Sequence, residues 1–379
     1  ALQLILGNAG AGKSHYIFEK IIQESMEHPT KQYLIIVPEQ FTMQTQKDLV
    51  SMHPRHGIMN IDVLSFARLA YRVFEETGTK QMQVLDDEGK NLILRKIAGD
   101  YENKLTVLKG NIKKLGYISE VKSVISEFTQ YDIGEEEMDE MLDHLDEDSR
   151  LYYKLKDIRL LYEGFQDYLR ERYITKEELL DVLNSQVKES ELLKNSVVVL
   201  DGFTGFTPVQ NRLILELMRC CKEVWVTVTM DERENPYAYK HPYQLFGLSK
   251  QMVTTLVRMA GEDHIEVEEP VCLYGYPVKR FEKNQELAFL ERNIFRYGAG
   301  RYDKAVENLE IHAAGNPRQE ADAVAEGIRR LVRKEQYRYR DIGVIVSDMN
   351  VYGDYLEQAF ENYGIPVFMD HKRSILLNS

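Results

Sequence analysis

Short apolar runs alternate with stretches of helical periodicity toward both ends of the chain. The run at 2–6 ends at a glycine, and from Lys13 onward apolar residues recur three and four positions apart, as in an amphipathic helix. Strands that alternate with helices in this way form parallel sheets with right-handed crossovers, so the pattern predicts an α/β domain. Further strands are predicted at 33–38, 60–64, 196–201 and 223–229, and helices at 40–52, 66–76 (capped by Ser65), 209–219 and 247–259.

The middle of the chain has a different pattern. From residue 86 to about 195 the periodicity is helical, with many charges and few β-branched runs. We therefore expect an all-helical domain at 81–194, inserted into an α/β domain that consists of 1–80 and 195–300. The beginning of a second α/β domain is expected at 301–379, with strands at 309–314, 341–347 and 365–370 and helices at 319–334 and 351–364. Because both ends of the sequence lie close to strand-like segments, we expect a piece of a longer chain.

Composition and charge narrow the class of protein. The 379 residues are 44% hydrophobic and 29% charged, close to the average of globular domains. A net charge of −13 argues against a protein whose whole surface binds nucleic acid, although it leaves room for a local basic groove. No apolar run approaches the roughly 20 residues of a membrane span. The three cysteines lack C-x-x-C spacing, which favours buried thiols in a reducing cytoplasm.

The segment GNAGAGKS matches the P-loop pattern G-x-x-x-x-G-K-[ST], with a predicted strand before it and a predicted helix after it. Glycines let such a loop turn its backbone N–H groups around phosphate oxygens, and the helix presents its N-terminal amides to the same anion. Lys13 is expected to neutralise the β and γ phosphates of ATP, and the Ser14 hydroxyl to bind Mg²⁺. The predicted nucleotide-binding residues of the loop are Gly7, Asn8, Ala9, Gly10, Ala11, Gly12, Lys13 and Ser14.

A second acid on a later strand holds Mg²⁺ in P-loop enzymes, and the candidate here is Asp201 at the end of the strand at 196–201. The next residue is Gly202, so the water-orienting acid that usually follows is absent. An aspartate at a strand end is also a common turn or cap residue, and this alternative stays open. Gln40 and Thr42 follow the predicted strand at 33–38, and both are expected near the nucleotide, at the carboxyl edge where open α/β sheets bind ligands. Helix capping is the alternative for Thr42.

Six segments, in order along the chain, carry a resemblance to a known family. With its helical insertion, the chain resembles UvrD-like superfamily 1 helicase motors, and more narrowly the N-terminal part of the B subunits of bacterial AddAB-type ATP-dependent helicase–nucleases. The segments are GNAGAGKS at 7–14, LIIVPEQFTMQT at 34–45, DVLSFARLAYRVF at 62–74, VLDGFTGFTPVQ at 199–210, YRYRDIGVIVSD at 337–348 and YGIPVFMDHKRSIL at 363–376.

The resemblance implies a RecA-like P-loop NTPase domain, a helical insertion and the beginning of a second RecA-like domain. It also implies a subunit of a heterodimer that processes DNA double-strand breaks for homologous recombination, in which the A subunit is the active motor. The exonuclease domain and its Fe–S cluster would lie beyond residue 379 of the full-length protein. None of the three cysteines here is at cluster spacing.

Two departures from the family's motor pattern imply ATP binding with little or no hydrolysis. A working superfamily 1 motor has Asp-Glu where this chain has Asp201-Gly202. It also has an arginine directly after the strand at 344–346, where this chain has Ser347. An arginine aimed at the γ-phosphate is worth orders of magnitude in turnover. The resemblance therefore implies a degenerate motor. Asp201, as a possible Mg²⁺-holding acid, is its only candidate catalytic residue.

The related motors carry single-stranded DNA across the tops of their α/β domains, with bases stacked on aromatic side chains. DNA, as single strands and duplex ends, is therefore an expected partner, although packing is the alternative for each aromatic. Two other functions stay open: an autonomous P-loop ATPase or nucleotide kinase, and a structural scaffold with a relic P-loop. The expected DNA contacts are Phe41, Thr42, Phe66, Arg68, Phe203 and Phe206, together with the Tyr-rich loop at 237–243.

Overall fold

The computed structural model describes residues 1–78, 83–112, 114–170, 173–298 and 300–369. They form two compact units that meet in sequence between Arg301 and Tyr302, and each is described by itself. The described strands are β1 Leu2–Gly7, β2 Gln32–Ile36, β3 Ile61–Leu64, β4 Gln83–Leu85, β5 Tyr173–Thr175, β6 Ser196–Leu200, β7 Glu223–Thr229 and β8 Val271–Cys272. The described α-helices are α1 Lys13–Glu27, α2 Thr42–Met52, α3 Phe66–Thr77, α4 Asp87–Asp100, α5 Leu115–Gln130, α6 Glu135–Asp143, α7 Arg150–Leu169, α8 Leu179–Gln186, α9 Glu191–Lys194, α10 Pro208–Cys220, α11 Gly247–Glu262, α12 Gln285–Asn293, α13 Pro317–Lys334 and α14 Met349–Asn362.

Six strands of the first unit form one parallel sheet in the order β3-β2-β6-β7-β1-β8. β1 pairs with β7 along its whole length, from Leu2 opposite Val224 to Gly7 opposite Thr229. Strands buried on both faces of a parallel sheet read as continuous apolar runs, which is why the sequence revealed them. β8 was missed because it pairs with β1 through two residues only. The parallel α/β prediction for this unit is confirmed, and its topology is consistent with a RecA-like domain.

Helices cover both faces of this sheet, because successive side chains of a strand point to opposite faces. On one face Ile5 and Trp225 pack with Ile17 and Ile21 of α1. On the other face, residues such as Leu4 pack with α3, α10 and α11. The first helix on that face begins as predicted, since the Ser65 hydroxyl accepts a hydrogen bond from the Arg68 amide at 3.3 Å. The sheet is thereby fixed as a rigid platform whose carboxyl edge carries the candidate site.

The insertion between β3 and β6 is not purely helical, and that prediction is wrong. β4 and β5 form a separate two-stranded parallel sheet, with Gln83 opposite Tyr173. Strands of three residues carry too little periodicity to be recognised in a sequence. Most of the insertion is helical nonetheless, and α4, α5 and α7 bury an apolar core that includes Leu94, Ile118 and Phe165.

The second unit pairs α13 with α14 through Ala325, Ile328, Leu356 and Phe360. Within its described residues there is no strand, so the strands predicted at 309–314, 341–347 and 365–370 are wrong, with residue 370 itself outside the described part. The reason is that apolar side chains make a strand only where a neighbouring backbone pairs with it. The exposed fractions of the apolar residues in these segments reach 93% for Ile311, 98% for Ile345 and 90% for Phe368. A second RecA-like domain at 301–379 stays a prediction.

Two smaller expectations concern cysteines and membranes. Cys221 is buried, which raises the pKa of its thiol, but Cys220 is half-buried and Cys272 is exposed, so the expectation of three buried thiols is wrong. Among the described helices, none combines the length and the apolar character that crossing a bilayer requires.

Candidate nucleotide site

The P-loop sequence forms a tight turn between the strand β1 and the helix α1. β1 ends at Gly7 and α1 begins at Lys13. Gly10 and Gly12 have φ of 82° and 94°, in the left-handed region that glycine adopts without a Cβ clash. The Ala11 amide donates to the carbonyl of Asn8 at 3.1 Å, which closes the turn. The predicted strand–loop–helix context of the motif is therefore present.

Lys13 folds back over the loop. Its Nζ donates to the carbonyl of Gly7 at 2.8 Å and to that of Asn8 at 3.0 Å. Burial lowers the pKa of the Lys13 ammonium to about 8, while the negative charges of Asp201 and Glu291 act in the opposite direction. The ammonium is thus a partly desolvated cation held at the loop by neutral carbonyl oxygens. Phosphate oxygens would be stronger partners for it.

Asp201 follows β6 at the carboxyl edge of the sheet, where its side chain is buried. Its Oδ1 accepts a hydrogen bond from Thr227 Oγ1 at 2.7 Å, and the same hydroxyl oxygen accepts the Gly202 amide at 3.3 Å. β7, which carries Thr227, lies between β6 and β1 in the sheet. The acid is therefore anchored to the strand that neighbours the P-loop strand, and its charge reaches Lys13.

The oxygen atoms of Ser14 and Asp201 are of the kind that Mg²⁺ prefers. Ser14 is exposed in the first turn of α1, and Asp201 has a second carboxylate oxygen besides the one bonded to Thr227. The described residues contain no cluster of three or more His, Cys, Asp or Glu side chains that could hold a metal ion. The donor set fits a metal held jointly by one acid, one hydroxyl and the nucleotide's own phosphates.

Two acids beside Asn8 were missed in the sequence. The Asn8 amide donates to Asp231 Oδ2 at 3.4 Å and to Glu291 Oε1 at 3.2 Å. Asp231 comes just after β7 and accepts two hydrogen bonds from the Arg233 guanidinium, at 2.8 and 2.6 Å. Burial would raise the pKa of Asp231, but the bonds from Arg233 and the charge of Arg296 hold it well below its usual range. No local motif marks these residues, because they meet only after the sheet has formed.

A basic segment also reaches the P-loop, and nothing in the sequence pattern indicated it. Lys279–Phe281 form a 3₁₀ helix, and the Arg280 amide donates to the carbonyl of Gly10 at 3.1 Å. A Cβ on Gly10 would lie 2.9 Å from the Cβ of Arg280. Gly10 stands at a variable position of the P-loop pattern. The structure requires glycine there because another segment packs onto the loop.

The residues that follow β2 lie elsewhere on the same edge. The sheet order puts three strand spacings, roughly 14 Å, between β2 and β1. The structure therefore does not bring Gln40, which is exposed on the 3₁₀ helix Glu39–Phe41, up to the P-loop. Thr42 is the first residue of α2, and its buried hydroxyl donates to the carbonyl of Glu39 at 3.0 Å, so it does not cap the helix. The exposed fraction of Phe41 is 50%.

The other aromatic candidates form a cluster. The ring centroid of Phe203 lies 5.5 Å from that of Phe66 and 5.1 Å from that of Phe206. Phe66 is buried and the other two rings are half-buried against the same core, so packing accounts for most of their surface. Arg68 is exposed on the first turn of α3. In the loop at 237–243, Tyr243 is exposed and its ring lies beside that of His241, with the centroids 6.1 Å apart and the ring planes tilted by 40°.

Two comparisons with known proteins, one with family models and one with whole sequences, agree with each other. Residues 4–291 match the family model described as "ADDB, N-terminal". The whole chain aligns at 43% identity with a protein of Lachnoclostridium phytofermentans and at 34% with proteins of Clostridium kluyveri and Alkaliphilus metalliredigens. Each of these is the B subunit of an ATP-dependent helicase/deoxyribonuclease by name, and the chain covers 33%, 33% and 32% of their respective lengths.

Proposed function

The chain belongs to the family of AddB N-terminal regions, and from that premise we propose that it is the nucleotide-binding, motor-like part of a helicase–nuclease subunit. In this proposal it binds ATP with Mg²⁺, hydrolyses it weakly or not at all, and acts with an A subunit on broken DNA ends that are processed for homologous recombination. The relatives' designation as B subunits implies a complex of several subunits.

One observation carries the nucleotide proposal: a P-loop with left-handed glycines, a desolvated lysine and an acid on a nearby strand share one sheet edge. In the complex, Lys13 would exchange the carbonyls of Gly7 and Asn8 for phosphate oxygens, and the amides of the loop and of the first turn of α1 would donate to the same phosphates. Ser14 and Asp201 would hold Mg²⁺. The metal, when bound, would neutralise part of the phosphate charge.

Weak hydrolysis is proposed because the residues that would activate water are missing or occupied. Gly202 stands where a second acid would follow Asp201. Asp231 is an alternative carboxylate near the loop, but Arg233 engages both of its oxygens and lowers its pKa. A carboxylate with a strongly lowered pKa is a poor general base near neutral pH. Ser347 also leaves the second unit without an arginine at the position expected from the motor pattern.

Nucleotide binding and hydrolysis are tested separately. A fluorescent ATP analogue titrated into the chain with Mg²⁺ should bind saturably, and Lys13→Ala should abolish most of the affinity. Absence of saturable binding by the unchanged chain would refute the nucleotide proposal in favour of a relic P-loop. Substantial ATP turnover by the chain alone would instead favour an autonomous ATPase.

In the complete complex with its A subunit, Lys13→Ala in this chain should leave DNA-stimulated ATP hydrolysis nearly unchanged, because the A subunit would supply the turnover. A large loss of hydrolysis would contradict the assignment of a degenerate motor. The matched control is the P-loop lysine of the A subunit, whose replacement by alanine should abolish the same activity.

DNA binding is proposed at the carboxyl edge near β2 and β3, where Phe41, Arg68 and Phe203 lie after neighbouring strands. Phe41 offers the largest exposed ring of these candidates, whereas Phe66 and its neighbours chiefly pack. Binding of single-stranded DNA should weaken steeply with salt. Replacement of Phe41 by alanine should reduce the affinity without lowering stability, and unchanged affinity would remove this residue from the interface.

A further inference from the structure

The segment 271–284, here called the strap, is fastened along the P-loop at several points. β8 pairs with β1, and the Leu273 amide donates to the carbonyl of Leu6 at 2.7 Å. Further along, the Arg280 amide donates to the carbonyl of Gly10 at 3.1 Å. Beyond the strap, Glu291 of α12 accepts a hydrogen bond from Asn8 at 3.2 Å. The strap therefore lies directly against the P-loop. The strand β1, which leads into the loop, also holds the strap through its pairing with β8.

Two basic side chains of the strap lie against the glycines of the loop. A Cβ built on Gly10 would lie 3.4 Å from Cδ and 3.5 Å from Nε of Arg280. A Cβ built on Gly12 would lie 3.3 Å from Cδ of Lys279. The absence of side chains at these two positions is what lets the cationic residues approach the backbone that would surround the phosphates.

These cations differ from the other basic residues nearby. Arg292 pairs with Glu232 at 3.1 Å, and Arg296 pairs with Glu234 at 2.9 Å. The described part of the chain gives Lys279 and Arg280 no such ion pair, and both are exposed. Burial is the main cause of the lowered pKa of Lys13, and the positive charge of Arg280 lowers this pKa further. The two cations are therefore close enough to repel each other. Lys13, Lys279 and Arg280 thus place three cations around one small loop, a charge arrangement that attracts an anion of several charges.

We propose that Arg280 and Lys279 are further phosphate-binding residues, which close the P-loop from the strap side and hold the phosphate chain of a nucleoside triphosphate together with Lys13. The proposal rests on the nucleotide-binding function proposed above. The Arg280 guanidinium supplies a planar fork suited to two phosphate oxygens, and Lys279 supplies a point charge. Both are positioning and binding residues, and no hydrolytic step is assigned to them.

The strap proposal is tested by anisotropy titrations of the 379-residue chain in the presence of Mg²⁺. They compare the affinity for a fluorescent ATP analogue with that for the corresponding AMP analogue. Arg280→Gln should weaken ATP binding about tenfold, and Lys279→Gln by a smaller factor, on the scale of charge-assisted hydrogen bonds. Arg280→Lys should recover part of the loss. AMP binding should change less than ATP binding, because fewer phosphate oxygens are present. Since both side chains are exposed, thermal unfolding should stay unchanged.

Arg258→Gln is the matched control, because it removes the same charge from the exposed face of α11, where Arg258 pairs with Glu262. It should leave ATP affinity unchanged. If the strap variants bind ATP as tightly as the unchanged chain while Lys13→Ala does not bind, the strap proposal falls and the nucleotide site stands. If the strap variants bind more tightly, the strap blocks the loop and the proposal also falls. If the unchanged chain binds no ATP, both proposals fall together.

Discussion

Raising the pH from 7 to 9 should weaken ATP binding by about tenfold, because it removes the proton that Lys13 brings to the phosphates. Burial lowers the pKa of the Lys13 ammonium to about 8, against the opposing charge of Asp201. At pH 7 roughly nine-tenths of the free chains therefore carry a charged Lys13, and at pH 9 roughly one-tenth do. Phosphates favour the charged form, so the bound state keeps its proton at pH 9. The observed affinity then follows the protonated fraction of the free chain, which gives the tenfold loss.

The same linkage separates this effect from unfolding. Between pH 8 and the ordinary lysine value of 10.5, the folded chain binds fewer protons at Lys13 than the unfolded chain. Stability contributed by this group therefore rises with pH in that window. Loss of affinity at pH 9 should thus occur in a chain that is still folded.

Anisotropy titrations of the ATP analogue at pH 7, 8 and 9, with constant ionic strength and Mg²⁺, provide the measurement. The phosphates are already ionised in this range, since phosphate groups lose their second proton near pH 6. Lys13→Arg is the control, because guanidinium stays charged to pH 9, and its affinity should be independent of pH. Equal affinity of the unchanged chain at pH 7 and pH 9 would refute the assigned role of a lysine with a lowered pKa.

Three substitutions test the rest of the structure. Gly10→Ala should lower the free energy of unfolding by about 1–2 kcal/mol, because φ is 82° and the new Cβ would lie 2.9 Å from Arg280. Gly205→Ala is the control and should be neutral, because a Cβ there would have nothing within 4 Å. Denaturant titration measures both. Asp157→Ala should destabilise the insertion by about 3 kcal/mol in the same assay, because its buried carboxylate accepts hydrogen bonds from three successive amides at 106–108 at 2.8 to 3.0 Å. Phe66→Ala should cost about 3–5 kcal/mol as a buried ring, and a loss below about 1 kcal/mol would show that the ring does not pack in solution.

The sequence was most informative where structure is local and buried. The turn from β1 into α1 could be predicted because it depends on the backbone conformation of a few neighbouring residues. Position 12, for example, needs a glycine because its φ is positive. The cap at Ser65 follows the same logic. The bounds of the strands predicted in the first unit differ from the observed ones by at most two residues, as with 196–201 against Ser196–Leu200. Central parallel strands are apolar on both faces, which makes them easy to recognise.

What the sequence did not reveal depends on contacts between distant residues. The sheet order is one such property. It places β6, which leads to Asp201, two strands from β1, and β2, which leads to Gln40, three strands from β1. Asp201 therefore lies nearer to the P-loop than Gln40. The strap is joined to the loop by main-chain hydrogen bonds, which leave no signature in the side chains. The apolar segments of the second unit show the converse: a strand-like pattern is present, yet the described residues offer no pairing partner.

Asp201 and Lys13 together explain why binding of nucleotide and of Mg²⁺ should be coupled. In the free site, the negative charge of Asp201 helps to keep Lys13 protonated against the desolvation that lowers its pKa. A triphosphate would draw the ammonium to itself and would leave Asp201 buried beside additional negative charge, which is unfavourable unless a cation arrives with it. Mg²⁺, the cation proposed for this site, would supply that charge. The requirement involves charge balance alone and needs no acid after Asp201, so the proposed site, with Gly202 in that position, would couple the two ligands even without hydrolysis.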